Sequence, residues 1–457
     1  MKKIAIIALL SISPFLVTAS LANTIEKQGS NNTSKTKSVT SSSKKEIGSK
    51  KKLKRYDVSA FGAVGDGKTL NSKAIQATID KCAQHGGGTV VIPKGEFLSG
   101  SLFLKPGVNF ELQEGAILKG STDIKDYPKA MTRIEGHFEL WPAALLNGDK
   151  VDHLHITGPG TLDGNGQPFW QDFYSHRKLD SKTTNLSVNR PRLTFIQNSR
   201  DVQISGITFK NSGFWNLHLY RCQQLLVDNC RFLAPFEMEG PAPSTDGIDV
   251  DSSQDITINN SFFAVGDDDI ALKGSKGPYA MDDKDSPAVE RIHITNCTFK
   301  AGGGIVTAGS EATIVRDVFI EHCTTTKPTV LRLKLRPDTP QQYENFHLND
   351  ITVEGSAAIF NISPWKQYFD LKGQQPPKSV VRFISVSNVK GSCGSYGKII
   401  GNPDTEFGEI ILKNVDVKMA DTNFELVNIK TLKFENVVVN GTSIPVPVPT
   451  AAPVHIR

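Results

Sequence analysis

One short pattern returns along the chain from about residue 150 onward, and it constrains the fold more than any other feature. Each copy is a brief alternating apolar–polar run, a polar Asn, Asp or His corner, and a second brief run. Such alternation, with many β-branched and aromatic residues, favours strands over helices. Recurrence at roughly 23 to 36 residues is typical of solenoids. The copies begin at Val202, Leu225, Ile256, Ile292, Val318 and Phe346.

We therefore predict an all-β fold, a right-handed single-stranded parallel β-helix in which each repeat forms one coil. Successive coils of such a fold lie about 4.8 Å apart. The alternative, a β-sandwich, needs hairpin turns, and few Asn-Gly or Asp-Gly pairs separate the strands. Segments near 383–390, 409–417 and 431–439 extend the stack. A single short helix around Asn71–Ala83 is predicted to cap the N-terminal opening.

The N-terminus has the features of an export signal followed by a linker. Lys2 and Lys3 precede an apolar stretch that is too short to span a bilayer, and a small-residue cleavage site follows. We predict a signal peptide over 1–22, a disordered linker rich in Lys, Ser and Thr over 23–55, and a catalytic domain over 56–457. The protein is expected to be exported to a periplasm or secreted, without a membrane span.

The distribution of charge argues against nucleic acid as a partner, and the spacing of the cysteines argues against bound zinc. Residues 1–55 carry twelve basic and two acidic side chains, a net charge of +10, whereas the whole chain is +5. The remaining residues are therefore at −5, and the basicity does not indicate nucleic-acid binding. The cysteines lack the spacing of zinc ligands. Cys230, Cys297 and Cys323 recur at one repeat position, which favours stacked, buried thiols.

Four short segments, two with aspartates, one of three glycines and one with basic side chains, follow one another at intervals of about 21, 36 and 29 residues. Since each interval is close to one coil, we expect these segments to lie on adjacent rungs of one face. Their carboxylates and cations would then form one patch suited to hydrolysing a glycosidic bond in an acidic polysaccharide. The segments are Ser244–Asp249, Gly266–Ile270, Gly302–Gly304 and Arg332–Lys334.

Three consecutive carboxylates follow Gly266. Like charges this close cannot all ionise, so one pKa should rise enough for that group to act as an acid. A calcium site or a solvated turn is the alternative, although calcium loops usually space their ligands at alternate positions. Asp246 is a better catalytic candidate than Asp249, because it lies one coil from Asp267.

The alternating run from Arg332 to Arg336 predicts leucines in the core and three cations on the outer face. Arg332 could then bind a sugar carboxylate through two hydrogen bonds, with Lys334 as a point charge. The alternative is an ordinary solvated strand face.

Other side chains have two interpretations each. His218, His293 and His322 are expected to be packed corner residues rather than catalysts. Four aromatic residues could stack on sugar rings or simply pack in the fold, namely Trp215, Trp365, Tyr368 and Tyr396.

Nearly all of residues 55 to 440 resembles the polygalacturonase family (glycoside hydrolase family 28). The resemblance includes the four segments above and runs at 56–67, 86–93, 158–164 and 211–218. It implies a right-handed parallel β-helix and inversion at the anomeric carbon. It also implies that Asp267 is the general acid and that Asp246 and Asp268 activate the attacking water. By the same resemblance Arg332 and Lys334 hold a galacturonate carboxylate, and neither a metal nor another cofactor is implied.

The sequence departs from the family pattern twice. Ser244 replaces the usual Asn before Thr-Asp, and Gly303 replaces the histidine of Gly-His-Gly, a histidine that rhamnogalacturonan-cleaving members also lack. The predicted function is hydrolysis of α-galacturonide bonds in polygalacturonan or oligogalacturonides. The alternatives are a rhamnogalacturonan I hydrolase, a pectate lyase and a non-catalytic glycan-binding solenoid.

The predicted partner is acidic plant polysaccharide (pectin) or an oligosaccharide, bound by a monomer. Endo and exo action stay open. The loops at about 166–190, 274–290 and 356–380 are long enough to wall off one end of a cleft.

Overall fold

The computed structural model describes residues 53–235, 242–366, 369–429 and 431–447. The predicted signal peptide and all but the last residues of the predicted linker lie outside these ranges, so both stay predictions. Within the described ranges, every helix is too short or too polar to cross a membrane.

Short strands make up most of the described chain. The first are β1 (Arg55–Asp57), β2 (Asp66–Leu70), β3 (Gly88–Ile92), β4 (Gly95–Ser99), β5 (Leu102–Phe103), β6 (Val108–Leu112), β7 (Ala116–Gly120), β8 (Lys129–Ile134), β9 (His137–Pro142), β10 (Leu146–Asp149), β11 (His155–Thr157) and β12 (Thr161–Asp163). The next are β13 (Thr194–Gln197), β14 (Arg200–Ser205), β15 (Thr208–Lys210), β16 (Leu217–Tyr220), β17 (Gln223–Asp228), β18 (Arg231–Leu233), β19 (Ile248–Asp251), β20 (Gln254–Asn259), β21 (Phe262–Ala264), β22 (Ile270–Lys273), β23 (Val289–Thr295), β24 (Thr298–Ala301) and β25 (Gly304–Ala308). The last are β26 (Ile314–Thr325), β27 (Thr329–Leu335), β28 (Gln342–Val353), β29 (Ala358–Pro364), β30 (Ser379–Ile400), β31 (Thr405–Phe407), β32 (Ile410–Val427), β33 (Leu432–Val439) and β34 (Thr442–Ser443).

The strands stack as coils with three parallel faces. Each short strand in the middle of the chain pairs in parallel with the strand one coil later, as in β13–β16, β16–β19 and β19–β22. We call the face that contains β10, β13, β16, β19, β22, β25, β27 and β29 the third face. The predicted right-handed parallel β-helix is confirmed.

Identical side chains from successive coils stack inside the helix. Phe209, Phe232, Phe263 and Phe299 form a ladder with ring centroids 4.8 to 4.9 Å apart, which matches the spacing between neighbouring strands. All six cysteines are buried and unbridged. The prediction of buried thiols is therefore confirmed.

The polar corners adopt the left-handed backbone conformation that turns one strand into the next. Asn229, Asn260, Asn296, His322 and Asp350 all have φ between 48° and 56°. Asn and Asp tolerate this region because their short side chains can bond locally. The predicted polar corner is confirmed.

Helix α1 (Ser72–Gln84) covers the N-terminal end through Ile75, Ile79 and Cys82, and the predicted cap is confirmed. The expectation of a single helix is wrong, because α2 (Gln167–Leu179) lies in the region predicted to be a long loop. A proline in its first turn and buried Phe169, Trp170 and Phe173 stabilise this second helix. Three short 3₁₀ turns complete the described elements, at Val58–Phe61, Ile124–Asp126 and Ala280–Asp282.

A β-hairpin formed by β8 and β9 stands apart from the coils. Its two-residue turn is Glu135-Gly136, with φ of 41° and 79°. Glutamate is uncommon at such a position, so a search for Asn-Gly and Asp-Gly pairs does not find this turn.

Candidate active site

The third face presents two rows of outward side chains, because alternate residues of its strands point into the core. On β19 and β22 the core takes Ile248, Val250, Ile270 and Leu272. The first outward row places His218, Asp249, Ala271, Thr307 and Arg332 on successive rungs. The second row contains Asp251 and Lys273 in register.

Asp246, Asp267 and Asp268 meet just before these strands begin. One carboxylate oxygen from each lies within 4.8 Å of the others. The Gly247 N–H donates to the Asp268 carbonyl at 2.9 Å, which fixes the two rungs against each other. Asp246 and Asp268 are buried and Asp267 is partly exposed. The structure thus brings together the three carboxylates singled out from the sequence.

Asp268 is the ionised member of the group. Lys334 donates to Oδ2 at 2.7 Å, and Arg332 Nη1 donates to Oδ1 at 2.9 Å. The Thr307 hydroxyl also donates to Oδ1, at 2.8 Å. Burial opposes ionisation, but the two cations hold the pKa of Asp268 well below its ordinary value.

Asp267 and Asp246 have the opposite tendency. Burial and the neighbouring charge of Asp268 raise the pKa of Asp267. Burial, with the charge of Asp267, raises the pKa of Asp246 well above its usual range, and Lys273 partly opposes this rise. The arrangement therefore provides one ionised carboxylate beside a protonatable one, as an acid–base pair requires.

Asp269 and Arg336 do not join the site. Asp269 is fully buried, and burial raises the pKa of its carboxyl well above the usual value. Arg336 lies on the predicted face but is covered, with Nη2 2.7 Å from Asp338. All three predicted cations therefore point out of the core. Of these three, Arg332 and Lys334 reach Asp268, whereas Arg336 pairs with Asp338.

The cavity around these groups measures about 170 Å³. Sequence reasoning missed several of the residues that line this cavity, because most of them lie in loops or in the hairpin. Only Lys273 had a signal, its outward position on the strand that follows the three aspartates. The missed lining residues are Glu135, Asn185, Lys273, Ser310 and Glu311.

The predicted aromatic residues divide between packing and the site. Trp215 and Trp365 line the cavity, with Lys273 and Lys334 lying 4.9 and 4.7 Å from their ring centroids. Tyr396 stacks on Phe424 inside the helix at 4.9 Å, so it is a packing residue. Tyr368 falls outside the described residues.

The predicted packed corner histidines are confirmed only in part, because His218 is packed but lies on a strand, His293 is exposed on a strand, and His322 is a corner residue but exposed. His218 is buried, accepts a 2.7 Å hydrogen bond from Arg192 at Nδ1, and has its pKa lowered by burial to about 4. His293 stacks on Phe319 at the surface, and His322 is a left-handed corner.

Gly303 leaves room for the Arg332–Asp268 pair. A Cβ at this position would collide with both the Arg332 guanidinium and the Asp268 carboxylate. The missing histidine is thus coupled to the position of Arg332.

A cavity on the wall of a parallel β-helix that combines an ionised carboxylate, protonatable carboxylates and cations contains the groups that hydrolysis of a glycosidic bond in an acidic polysaccharide requires. Comparison with known proteins agrees. The model for glycosyl hydrolases family 28 matches residues 82–440. An exopolygalacturonase of Zea mays is 32% identical over 66% of this chain and 68% of its own length. An exo-poly-alpha-D-galacturonosidase of Dickeya chrysanthemi is 30% identical, covering 62% and 52%. In structure, the chain is similar to a hyperthermoactive exopolygalacturonase from Thermotoga maritima, with a TM-score of 0.73, 22% identity and coverage of 86% and 94%.

The chain belongs to glycosyl hydrolases family 28. It is a glycoside hydrolase of the polygalacturonase type, and the resemblance found in the sequence is confirmed.

Proposed function

We propose that this protein hydrolyses α-galacturonide bonds of pectin, in polygalacturonan or in oligogalacturonides. One observation supports this most strongly: Arg332 and Lys334 both lie against Asp268, beside the partly exposed Asp267. A sugar carboxylate bound by these cations would place the adjoining glycosidic oxygen near Asp267. The Arg332 side chain remains 22% exposed, so part of its guanidinium faces the cavity.

The proposed reaction has one step. A water molecule gives a proton to Asp246 as its oxygen bonds to the anomeric carbon. The bond from that carbon to the leaving oxygen breaks, and the oxygen takes the proton of Asp267. Asp268, held ionised by Lys334 and Arg332, orients the water and stabilises positive charge on the sugar ring.

Inversion of the anomeric carbon is supported by family membership rather than by spacing. The carboxylate oxygens lie within 4.8 Å of one another, closer than the roughly 6.5 to 9.5 Å between carboxyl groups that is usual for inverting pairs. NMR of the first product tests this directly: inversion gives the β-anomer, and retention would give the α-anomer.

Exo action is supported by the hairpin and by the names of the relatives. The hairpin tip places Glu135 in the cavity wall. Its Gly136 packs so tightly that a Cβ there would lie 2.9 Å from Glu311 Cβ and 3.0 Å from the Gly274 carbonyl. The tip therefore lies against the segments that follow β22 and β25, at the wall of the cavity. We propose that it blocks continuation of the polysaccharide there, so that the enzyme releases residues from a chain end.

A rhamnogalacturonan I hydrolase is the second candidate, favoured by one observation: no side chain fits at Gly303 without moving Arg332. We also propose export, on the sequence features of residues 1–22.

Reducing-end release from polygalacturonate and rhamnogalacturonan I, measured side by side, tests the proposed function. We expect release from polygalacturonate, with single galacturonate residues as the first product. Release from rhamnogalacturonan I alone would favour the second candidate, and an ultraviolet-absorbing unsaturated product would indicate a lyase instead.

Asp267→Asn tests the proposed acid. It should lower kcat by about 10²-fold or more, because general acid catalysis contributes roughly 10² to 10⁴. The matched control is Asp416→Asn, which removes an exposed carboxylate of a distant coil and should leave the rate unchanged. Undiminished turnover by folded Asp267→Asn would refute the assignment.

A further inference from the structure

Lys273 is a buried cation that the proposed mechanism leaves without a role. It lies on β22 immediately below the carboxylates and is 5% exposed. Its Nζ is 3.8 Å from Asp246, 3.6 Å from Asp249 and 3.9 Å from Glu311. The Trp215 ring covers it, with the ring centroid 4.9 Å from Nζ. The ammonium is thus fixed between three carboxylates, of which Asp246 and Asp249 belong to the rung of β19 and Glu311 follows β25.

Asp246 and Asp268, the two carboxylates proposed to activate the water, differ in their cationic partners. Arg332 and Lys334 bond directly to Asp268. Among the described ion pairs, Asp246 has Lys273 as its cationic partner within 4 Å. Lys273 is therefore the nearer and stronger of the two ammonium groups, with Lys334, that favour the ionised form of Asp246 in a site where burial and Asp267 both oppose its charge.

Asp249 lies against the same ammonium, although burial and the charge of Asp246 raise the pKa of its carboxyl well above the usual value. It is fully buried on the first outward row, and within the described residues neither of its carboxylate oxygens has a hydrogen-bond partner. Charged and titratable groups surround Asp246 and Lys273 from every adjoining element. They are His218 on β16, Asp249 and Asp251 on β19, Asp267, Asp268 and Asp269 before β22, Glu311 after β25, Arg332 and Lys334 on β27, Tyr343 on β28, Arg190 before β13 and Glu135 at the hairpin tip.

We propose that Lys273 is a positioning residue that keeps Asp246 ionised as the base, acting through Asp246 rather than by touching the substrate. This inference rests on the proposed function, because it takes Asp246 as the base. An opposite charge within about 4 to 6 Å shifts a carboxyl pKa by roughly 1 to 3 units, enough to decide whether Asp246 accepts a proton at a mildly acidic pH.

The test is the pH profile of kcat/KM on a galacturonate oligosaccharide. In Lys273→Met the pKa of Asp246 should rise, so the acidic limb should move up by about one pH unit or more. At pH values below that limb kcat should fall by about tenfold per unit, whereas KM changes little. Lys273→Arg, which keeps the charge, should restore most of the limb. Lys276→Met is the matched control, since it removes a nearby lysine that has no ion pair to Asp246 within the described residues, and its limb should not move.

A folded Lys273→Met whose acidic limb stays in place would overturn the proposal, as would a raised KM with an unmoved limb, which would indicate direct substrate contact. If Lys273→Met shows no cooperative unfolding transition, Glu311→Gln decides. This near-isosteric change removes the ionised carboxylate that shares Lys273 with Asp246 and should move the limb to lower pH; an unmoved limb would refute the inference. Absence of reducing-end release from polygalacturonate by the unaltered protein would instead refute the proposed function, so the two failures are distinguishable.

Discussion

At the scale of single residues, neighbours in the chain have opposite electrostatic surroundings. Asp267 and Asp268 are consecutive, yet Lys334 and Arg332 contact only the second. The pKa of Asp268 is held low by these cations, whereas burial raises that of Asp267. The sequence identified both residues and both cations. For Lys273 it gave only an outward position on a strand, because the role of this residue depends on which carboxylates lie around it in space.

Lys334 should discriminate between charged and neutral substrates. In Lys334→Met, the ratio of kcat/KM for a galacturonate oligosaccharide to kcat/KM for its methyl ester should fall by about tenfold or more. The reason is that a hydrogen bond to a charged group is worth roughly 1.5 to 3 kcal/mol. Both rates should also fall, because Lys334 holds Asp268 ionised. Steady-state kinetics on the two substrates measures the ratio, with Lys413→Met on a distant exposed coil as control. An unchanged ratio would show that Lys334 does not bind the substrate carboxylate.

At the scale of elements, coil strands were predictable and the added elements were not. The strands follow from a repeat in which each copy confirms the next, and their register is imposed by ladders such as that of the phenylalanines. Helix α2 and the β8–β9 hairpin occur once each, so no repetition marks them. The hairpin is held in place by distant contacts: Arg133 Nη1 lies 3.1 Å from Asp283, and Arg192 donates to the Arg133 carbonyl at 3.0 Å. A single sequence gives no sign of such contacts.

The hairpin tip should decide the product size. Replacing residues 134–137 by Asn-Gly keeps the Arg133–Phe138 strand pair but withdraws the tip by about 3 Å, one residue of strand. It also removes Glu135 from the cavity wall. We expect oligosaccharides to appear among the first products of polygalacturonate, as separated by anion-exchange chromatography. Met131→Ser, at an exposed position of the same hairpin, should release single residues like the unaltered protein. Single residues from both variants would rule the tip out as the barrier.

At the scale of the whole molecule, a solenoid confines each perturbation to neighbouring coils, because a coil contacts only the coils above and below it. Phe263 and Phe209 belong to one buried ladder and are both fully buried. They differ in the backbone that packs against their rings. A Cβ at Gly247 would lie 2.8 Å from the Phe263 ring, so this ring supports the backbone that carries Asp246. Phe209 lies two coils earlier.

Phe263→Ala and Phe209→Ala should therefore destabilise the protein alike but affect catalysis differently. Each should lower the free energy of unfolding by about 3 to 5 kcal/mol, the usual cost of truncating a buried phenylalanine. Only Phe263→Ala should also lower kcat, because the cavity lets the Gly247 backbone shift and displaces Asp246 from the water. Chemical denaturation and kcat, both measured at a temperature where each variant is folded, separate the two effects. Phe263→Leu, which fills most of the cavity, should recover much of kcat. Equal loss of kcat in both alanine variants would mean that strain spreads along the ladder, against the nearest-neighbour behaviour expected of this fold.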